Sequence, residues 1–233
     1  MPRDSLARIA REVISCERCP RLRMWCEAVA RERVRRFQDQ RYWARPVPGF
    51  GDPAARLLVV GLAPAAHGGN RTGRVFTGDR SGDFLFAALH RAGFANQPHS
   101  VSRDDGLALT DCYVAAVARC APPGNKPLPH EIVSCREYLR REWEQLTRLR
   151  AVLALGRIAM DGLLAMLREA GRVPARGSLT FGHGVSHDLG GGVVLFASYH
   201  PSQQNTFTGR LTPRDMDDVL RAVRRHLASR AAR

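Results

Sequence analysis

The sequence predicts an α/β fold with a mainly parallel central sheet covered by helices on both faces. Short apolar runs are typical of buried strands, helical segments alternate with these runs, and Gly- and Pro-rich breaks separate the two. The chain has 233 residues, of which 44% are hydrophobic and 25% charged. This composition excludes a disordered chain, and we expect one domain over residues 1–233 with its own core.

Each predicted element follows from a local pattern. The first strand is a run of Leu and Val between Pro53 and Gly61, and the later strands are similar apolar runs. The four predicted strands are residues 57–60, 111–118, 151–155 and 193–198. The predicted helices are residues 4–14, 21–43, 82–92, 129–147, 157–169 and 213–229. The last of these has a start signal in Thr212, Pro213 and Asp215.

The charge favours a polyanionic partner. Basic residues number 36 and acidic residues 22, which gives a formal net charge of +14. Residues 1–45 hold 12 Arg and 6 acids, and residues 210–233 hold 7 Arg and 3 acids. Lys126 is the only lysine, so a preference for Arg is one explanation, but it does not account for the excess over Asp and Glu. The excess of basic residues therefore favours a polyanionic partner, of which a nucleic acid is one kind.

The beginning of the chain lacks the uninterrupted apolar core of a secretory signal. No apolar run approaches the roughly 20 residues that span a bilayer. We therefore expect a cytoplasmic protein without membrane contact.

Four of the six cysteines form two groups. Cys16 and Cys19 are spaced as CxxC, and Cys120 and Cys135 are further apart. Without an export signal, metal ligation is favoured over disulfides, and four unevenly spaced thiols suit either a structural zinc or an iron–sulfur cluster. We interpret the remaining two, Cys26 and Cys112, as small core residues.

Two loops that follow predicted strands could carry chemistry. Residues 61–79, GLAPAAHGGNRTGRVFTGD, are rich in Gly, which permits close backbone approach to a ligand. The loop is neither a P-loop nor a dinucleotide-binding fingerprint. The second loop begins with His200-Pro201-Ser202. Because ligands bind at the carboxyl ends of parallel strands, we expect the two loops to converge.

Three blocks in this order resemble the family 5 uracil-DNA glycosylases, the iron–sulfur branch called type B. The blocks are GLAPAAHGGNRTGRVFTGDRSG (61–82), RCAPPGNKPLP (119–129) and HPSQQNTFTGRLTP (200–213). The resemblance implies a three-layer α/β/α domain with a mainly parallel four-stranded sheet. It also implies a [4Fe-4S] cluster on Cys16, Cys19, Cys120 and Cys135 that ties on the Arg-rich N-terminal helical segment, residues 1–45.

The resemblance also implies a DNA-repair hydrolase that flips out a deaminated base and cleaves its N-glycosidic bond. Uracil is the first expected base, followed by hypoxanthine, hydroxymethyluracil or ethenocytosine. The expected catalytic residues are Asp79, Asn125 and His200. The expected substrate-binding residues are Gly61, Leu62, Ala63 and Phe76. The expected DNA-binding residues are Arg71, Lys126, Ser202, Gln203, Asn205 and Arg210.

Three of these residues also have a simpler explanation. Phe76 could be a core residue, Asp79 a helix N-cap and Asn125 a turn residue. Leu62 and Ala116 stand where the family 4 branch has an acid and a uracil-reading Asn, so we expect weaker discrimination for uracil. An amine is needed for a Schiff base, and we interpret Lys126 as a phosphate contact in a monofunctional enzyme.

Two other functions remain as alternatives. One is a non-catalytic nucleic-acid-binding module with a four-cysteine zinc site, and the other is an enzyme that acts on free nucleotides. The basic charge argues against a small substrate. We expect a monomer that binds double-stranded DNA, with single-stranded DNA left open.

Overall fold

In a computed structural model that describes residues 4–173 and 179–229, the chain folds around a six-stranded sheet. The strands are β1 (Phe50–Gly51), β2 (Leu57–Gly61), β3 (Cys112–Ala116), β4 (Ala151–Leu155), β5 (Ser186–Asp188) and β6 (Val194–Ser198). Their order is β1-β3-β2-β4-β6-β5, with four parallel strands between two antiparallel edges. The four predicted strands are confirmed, but the sheet is wider than predicted. Two or three residues are too few to show a strand pattern, so the edges were missed.

The helices lie close to their predicted places. They are α1 (Leu6–Ile14), α2 (Pro20–Glu32), α3 (Gly69–Thr72), α4 (Arg80–Arg91), α5 (Pro129–Gln145), α6 (Arg157–Glu169), α7 (Gln203–Phe207) and α8 (Pro213–Ser229). The short helices α3 and α7 were not predicted. They lie inside the two loops that were predicted to carry chemistry, which are called the chemical loops below. No helix within the described ranges is both long enough and apolar enough to cross a bilayer.

The helix predicted over 21–43 was wrong in its second half. Helix α2 ends where Arg33 adopts a φ of 45°, and a short 3₁₀ turn follows. Beyond that turn, the backbone N–H groups of Trp43 and Ala44 donate to the carbonyls of Arg71 and Asn70, at 2.9 and 3.0 Å. Tertiary hydrogen bonds to α3 therefore replace helical ones in this stretch.

Alternating side chains of the buried strands build two hydrophobic layers. In β2, Leu57 and Val59 face a layer that α4 and α8 complete. Leu58 and Val60 face the opposite layer, which α5 and α6 complete. The predicted three-layer α/β/α architecture is therefore confirmed.

The N-terminal helices are fastened to α5 by charges as well as by apolar contacts. Arg141 on α5 donates to Asp4 at 2.9 Å and also pairs with Glu12. Further pairs join Arg18 to Glu137 at 2.9 Å and Arg21 to Glu131 at 2.8 Å. The attachment of this segment therefore has protein contacts of its own, beside any metal group. Arg3, Arg230 and Arg233, which contribute to the predicted basic ends, lie outside the described residues.

Candidate active site

The two chemical loops meet at the carboxyl edge of the sheet. The loop after β2 and the loop after β6 line a cavity of about 540 Å³. Eight predicted site residues line it: Leu62, Ala63, Phe76, Asp79, Asn125, His200, Ser202 and Gln203. The parallel strands bring these distant residues together, as expected for a ligand site of this fold.

Phe76 forms an aromatic wall of the cavity in a strained conformation. Its φ is 53°, in the left-handed region that bulky residues rarely adopt, and its side chain is buried. The ring lies over Gly61, where an added Cβ would be 2.7 Å from two ring carbons. Its centroid is 5.8 Å from that of His200, with an interplanar angle of 32°. Gly61 therefore packs against the Phe76 ring and does not itself line the cavity.

Asp79 is the N-cap of α4 and also a wall of the cavity. Its Oδ1 accepts a hydrogen bond from the backbone N–H of Gly82 at 2.9 Å. Burial raises the pKa of its carboxyl above the ordinary value, while the N–H groups of Gly82 and Ser81 lower it. A Cβ at Gly68 would lie 1.9 Å from Asp79 Oδ2, so the Gly-rich loop leaves room for this carboxylate. The cap and the site are therefore built from the same side chain.

His200 lies in the loop after β6, two residues beyond the end of that strand at Ser198. Burial lowers the pKa of its imidazole to about 4, so the ring is neutral at pH 7. Its carbonyl accepts from Asn205 Nδ2 and from the Ser202 backbone N–H, both at 2.8 Å. Asn205, predicted to bind DNA, thus holds the backbone that carries the imidazole.

The Pro-rich loop after β3 contributes Asn125 to the cavity. Asn125 is exposed and has a φ of 57°, a conformation that Asn tolerates better than most residues. Lys126 follows it and is also exposed. The turn geometry of Asn125 and its placement at the cavity therefore coexist.

Arg71, which was predicted to bind DNA, is buried. Its guanidinium donates to the carbonyls of His67 and Gly78 and to Gln40 Oε1, at 2.8, 2.8 and 2.6 Å. The ring of Phe37 lies 3.9 Å from its central carbon. Arg71 therefore braces the Gly-rich loop from inside, and the predicted phosphate contact is a correction.

Sequence reasoning missed several cavity residues. These are Ala65, Arg80 and Ser81, which all lie within the first matching block. The adjacency of Arg80 and Ser81 to Asp79 was an available signal. Arg210 lies on the exposed surface near the second loop, with its guanidinium 4.5 Å from the ring centre of Tyr199. Ala116 is fully buried and ends β3.

The four predicted metal-binding cysteines lie at one corner of the molecule. Cys16 follows α1, Cys19 precedes α2, Cys120 follows β3 and Cys135 lies on α5. Burial raises the pKa of the Cys19 thiol, and the nearby Cys120 and Cys16 raise it further. Burial likewise raises the pKa of Cys135 to about 12, with contributions from Cys120 and Cys19. The thiols are therefore neighbours in space.

Cys26 adds a fifth thiol to this corner. It contacts Cys120, which lowers the pKa of the Cys26 thiol, and its Sγ donates to the Ala121 carbonyl at 3.5 Å. All six cysteines are free. In the described parts of the chain, no three or more His, Cys, Asp or Glu side chains are placed so that they could together hold a metal ion.

Comparison with known proteins defines the class of this fold and strand-end site. The model of the Uracil DNA glycosylase superfamily matches residues 48–224, and the chain belongs to this family.

Three relatives identify the branch that the chain resembles, each named Type-5 uracil-DNA glycosylase. The protein of Mycobacterium tuberculosis is 53% identical over 211 residues, covering 90% of this chain and 77% of that protein. The protein of Mycobacterium leprae is 50% identical and covers 95% of both chains. That of Thermus thermophilus is 50% identical, covering 91% of this chain and 93% of that protein. The predicted resemblance to family 5 is therefore confirmed.

Proposed function

We propose that this chain excises uracil from DNA by hydrolysing the N-glycosidic bond, which leaves an abasic site. One observation carries the proposal: Phe76, Asp79, Asn125 and His200 share one cavity in a chain of the glycosylase family. The reaction needs a pocket for an extruded base, a donor for the leaving base and a group that stabilises the sugar. The cavity offers a candidate for each.

Phe76 is suited to stack on the extruded base. Base–aromatic stacking contributes on the order of 1–3 kcal/mol, which offsets part of the unstacking cost in the duplex. The strain at Phe76 is maintained by its packing on Gly61 and His200, so the ring is held in place before the base arrives.

His200 is suited to stabilise the leaving base. Cleavage builds negative charge on the base, and a neutral imidazole N–H can donate to a base carbonyl oxygen without a prior protonation step. The lowered pKa of His200, about 4, keeps the ring in this form at neutral pH. Two hydrogen bonds to its carbonyl fix the loop that presents it.

Asp79 is suited to act on the sugar side of the bond. As a carboxylate it stabilises the positive charge that develops on the sugar and orients or activates the attacking water. Its raised pKa brings the carboxylate closer in basicity to the water that it must activate. The Asn125 amide, with donors and an acceptor, can hold that water or a base edge.

The proposed substrate range extends beyond uracil. A histidine contact to a carbonyl oxygen reads a feature that several deaminated bases share. Leu62 and the buried Ala116 add no hydrogen bond to the base edge. We therefore include hypoxanthine, hydroxymethyluracil and ethenocytosine, and we propose a monofunctional enzyme because Lys126 is the only lysine.

DNA is the substrate, and we propose that Lys126, Ser202, Gln203 and Arg210 contact its phosphates. These groups lie on the loops around the cavity mouth. Double-stranded DNA, a monomeric enzyme and a cytoplasmic location complete the proposal.

A [4Fe-4S] cluster is proposed on Cys16, Cys19, Cys120 and Cys135. The four free thiols at one corner supply the thiolate donors that such clusters use. When bound, the cluster would link the CxxC segment to α5 and the end of β3, in a structural role. A zinc-bearing, non-catalytic module is less favoured, because it gives no reason for the shared cavity or the family match.

The decisive experiment uses the purified chain and a labelled duplex with one U:G pair, followed by alkali. Strand cleavage is expected with the unaltered protein, and Asp79→Ala and His200→Ala should each depress it without loss of visible colour or fold. An Arg214→Met variant, altered at an exposed residue of α8, is the control. A folded protein that leaves the uracil intact would overturn the proposal.

A further inference from the structure

A second groove lies beside the base cavity, across His200. Its volume is about 430 Å³, and it shares Leu62 and His200 with the base cavity. Aromatic and basic side chains define its walls. The rings of Phe181 and Tyr199 are 6.1 Å apart between centroids, with an interplanar angle of 51°. This groove has no part in the chemistry described above.

Two guanidinium groups flank the aromatic rings. That of Arg210 lies 4.5 Å from the centre of the Tyr199 ring, and that of Arg157 lies 5.2 Å from the centre of the Phe181 ring. Ile158 is half-exposed at the same opening. Among the described residues that line the groove, none is acidic. Each guanidinium lies over one of the rings, and His183 also stacks on Tyr199 at 5.2 Å between centroids. Two aromatic rings with a cation over each are complementary to a nucleotide, with its flat base and its phosphate, once the guanidinium moves from the ring to the phosphate.

We propose that this groove binds the nucleotide next to the flipped one in the same DNA strand. The inference rests on the proposed function. The neighbouring base takes the place of a guanidinium on the ring of Tyr199 or Phe181, and the displaced Arg210 or Arg157 pairs with a phosphate. The shared wall favours this occupant, because a nucleotide joined to the flipped one by a single phosphodiester must remain close to it. Such stacking tolerates any base, since every base has a π-face.

The test measures single-turnover excision from a single-stranded oligonucleotide with one uracil. In two further oligonucleotides, a tetrahydrofuran abasic analogue replaces the 5′ or the 3′ neighbour of the uracil. From one of these two oligonucleotides, the unaltered protein should excise uracil at least about fivefold more slowly than from the intact strand. In Tyr199→Ala combined with Phe181→Ala, that ratio should fall to about one.

Arg210→Met should weaken binding of the intact strand, whereas Arg214→Met, which alters an exposed arginine outside both cavities, should not. Because the abasic analogues change the DNA and not the protein, a misfolded variant cannot hide the result. Equal rates on all three oligonucleotides would overturn the inference while leaving the proposed function intact. A further substrate is a duplex in which the analogue stands opposite the uracil. If excision is slowed with this duplex alone, the inference is also overturned, because the groove would then bind a base of the opposite strand. No excision from the intact strand, nor from the U:G duplex, would instead contradict the proposed function.

Discussion

At the scale of single residues, Asp79 combines a structural and a chemical role. Its Oδ1 caps α4 through Gly82, and the same carboxylate lines the cavity. Capping favours a short polar side chain, while the chemistry favours a basic carboxylate in a poorly solvated place. The raised pKa indicates that burial, the largest influence, outweighs the stabilising N–H groups. Asp79 therefore carries a charge that function requires and folding disfavours.

Replacing Asp79 by Asn should separate these roles. Asn caps helices as well as Asp does, so α4 keeps its N-cap, but the general base is lost. We expect excision to slow by about 10²- to 10⁴-fold. The melting temperature at pH 7 should rise, because the folded state holds a proton on Asp79 more tightly than the unfolded state does, and ionisation therefore opposes folding.

Calorimetry and single-turnover kinetics measure the two effects. Asp79→Ala serves as the comparison, since it removes the charge and the cap together and loses about 1 kcal/mol of capping. If Asp79→Asn slows excision but is no more stable than Asp79→Ala, then ionisation of Asp79 does not oppose folding in the unaltered protein.

The pH dependence of excision should show one acidic limb, due to Asp79. The limb should lie above the ordinary Asp range because burial raises the carboxyl pKa. His200 should add no limb near pH 6.5, because its pKa is about 4. For stability, His200 and Asp79 act in opposite directions. Between about pH 4 and 6.5 the unfolded chain binds more protons on His200, so His200 makes stability rise with pH, whereas the raised pKa of Asp79 makes it fall. Rates from about pH 4.5 to 9 test this, and a limb near 6.5 that disappears in His200→Gln would contradict it.

At the scale of elements, glycines let neighbouring segments approach one another. A Cβ at Gly61 would meet the Phe76 ring at 2.7 Å, and one at Gly82 would meet the Phe76 carbonyl at 1.9 Å. The end of β2 and the start of α4 therefore close upon Phe76 from two sides. This contact fixes both the backbone and the ring of the residue that is proposed to hold the base.

Gly61→Ala should displace the Phe76 ring and slow excision by about tenfold or more, through lost stacking. In a Phe76→Leu background, the same change should cost much less, since the ring that it displaces is absent. The double-mutant cycle measures this coupling from kcat/KM, with circular dichroism to verify the fold. Additive losses would mean that Gly61 acts independently of Phe76.

The cysteine corner gives a second prediction at this scale. Cys120→Ser and Cys135→Ser should remove iron and the broad visible absorbance, whereas Cys26→Ser, which alters the thiol in contact with Cys120, should retain both. Chelation of the metal should lower the melting temperature but leave α1 and α2 helical, because Arg141 and Arg21 hold them to α5. Iron analysis and far-ultraviolet circular dichroism test this. If Cys26→Ser lost its iron while Cys120→Ser kept it, the metal ligand would be Cys26 and not Cys120.

At the scale of the whole molecule, the sequence predicted the layers and the site loops, because both depend on local patterns. Apolar runs located β2, β3, β4 and β6, and strand ends located the cavity. It failed where tertiary contacts decide. The predicted helix does not continue to residue 43, because the backbone N–H groups of Trp43 and Ala44 bind α3. Arg71 points inward because Gln40 and two carbonyls accept its hydrogen bonds. The groove at Phe181 and Tyr199 was missed since neither residue belongs to a recognisable motif.

The net charge of +14 comes from arginines of which some are buried and others exposed. Only the exposed ones can contact DNA phosphates, so this distinction governs how DNA binding depends on salt. Each phosphate contact contributes about 0.9 to the slope of log K against log salt for B-DNA. Arg210→Met and Lys126→Ala should therefore each reduce the slope by about one, while weakening binding at low salt. Arg71→Met should leave the slope unchanged and lower the melting temperature instead, because its guanidinium braces the Gly-rich loop. Fluorescence anisotropy with a labelled duplex from 50 to 200 mM salt (roughly the range in which such losses are large) distinguishes the three variants. A slope that falls in Arg71→Met but not in Arg210→Met would place the DNA on a different face of the molecule.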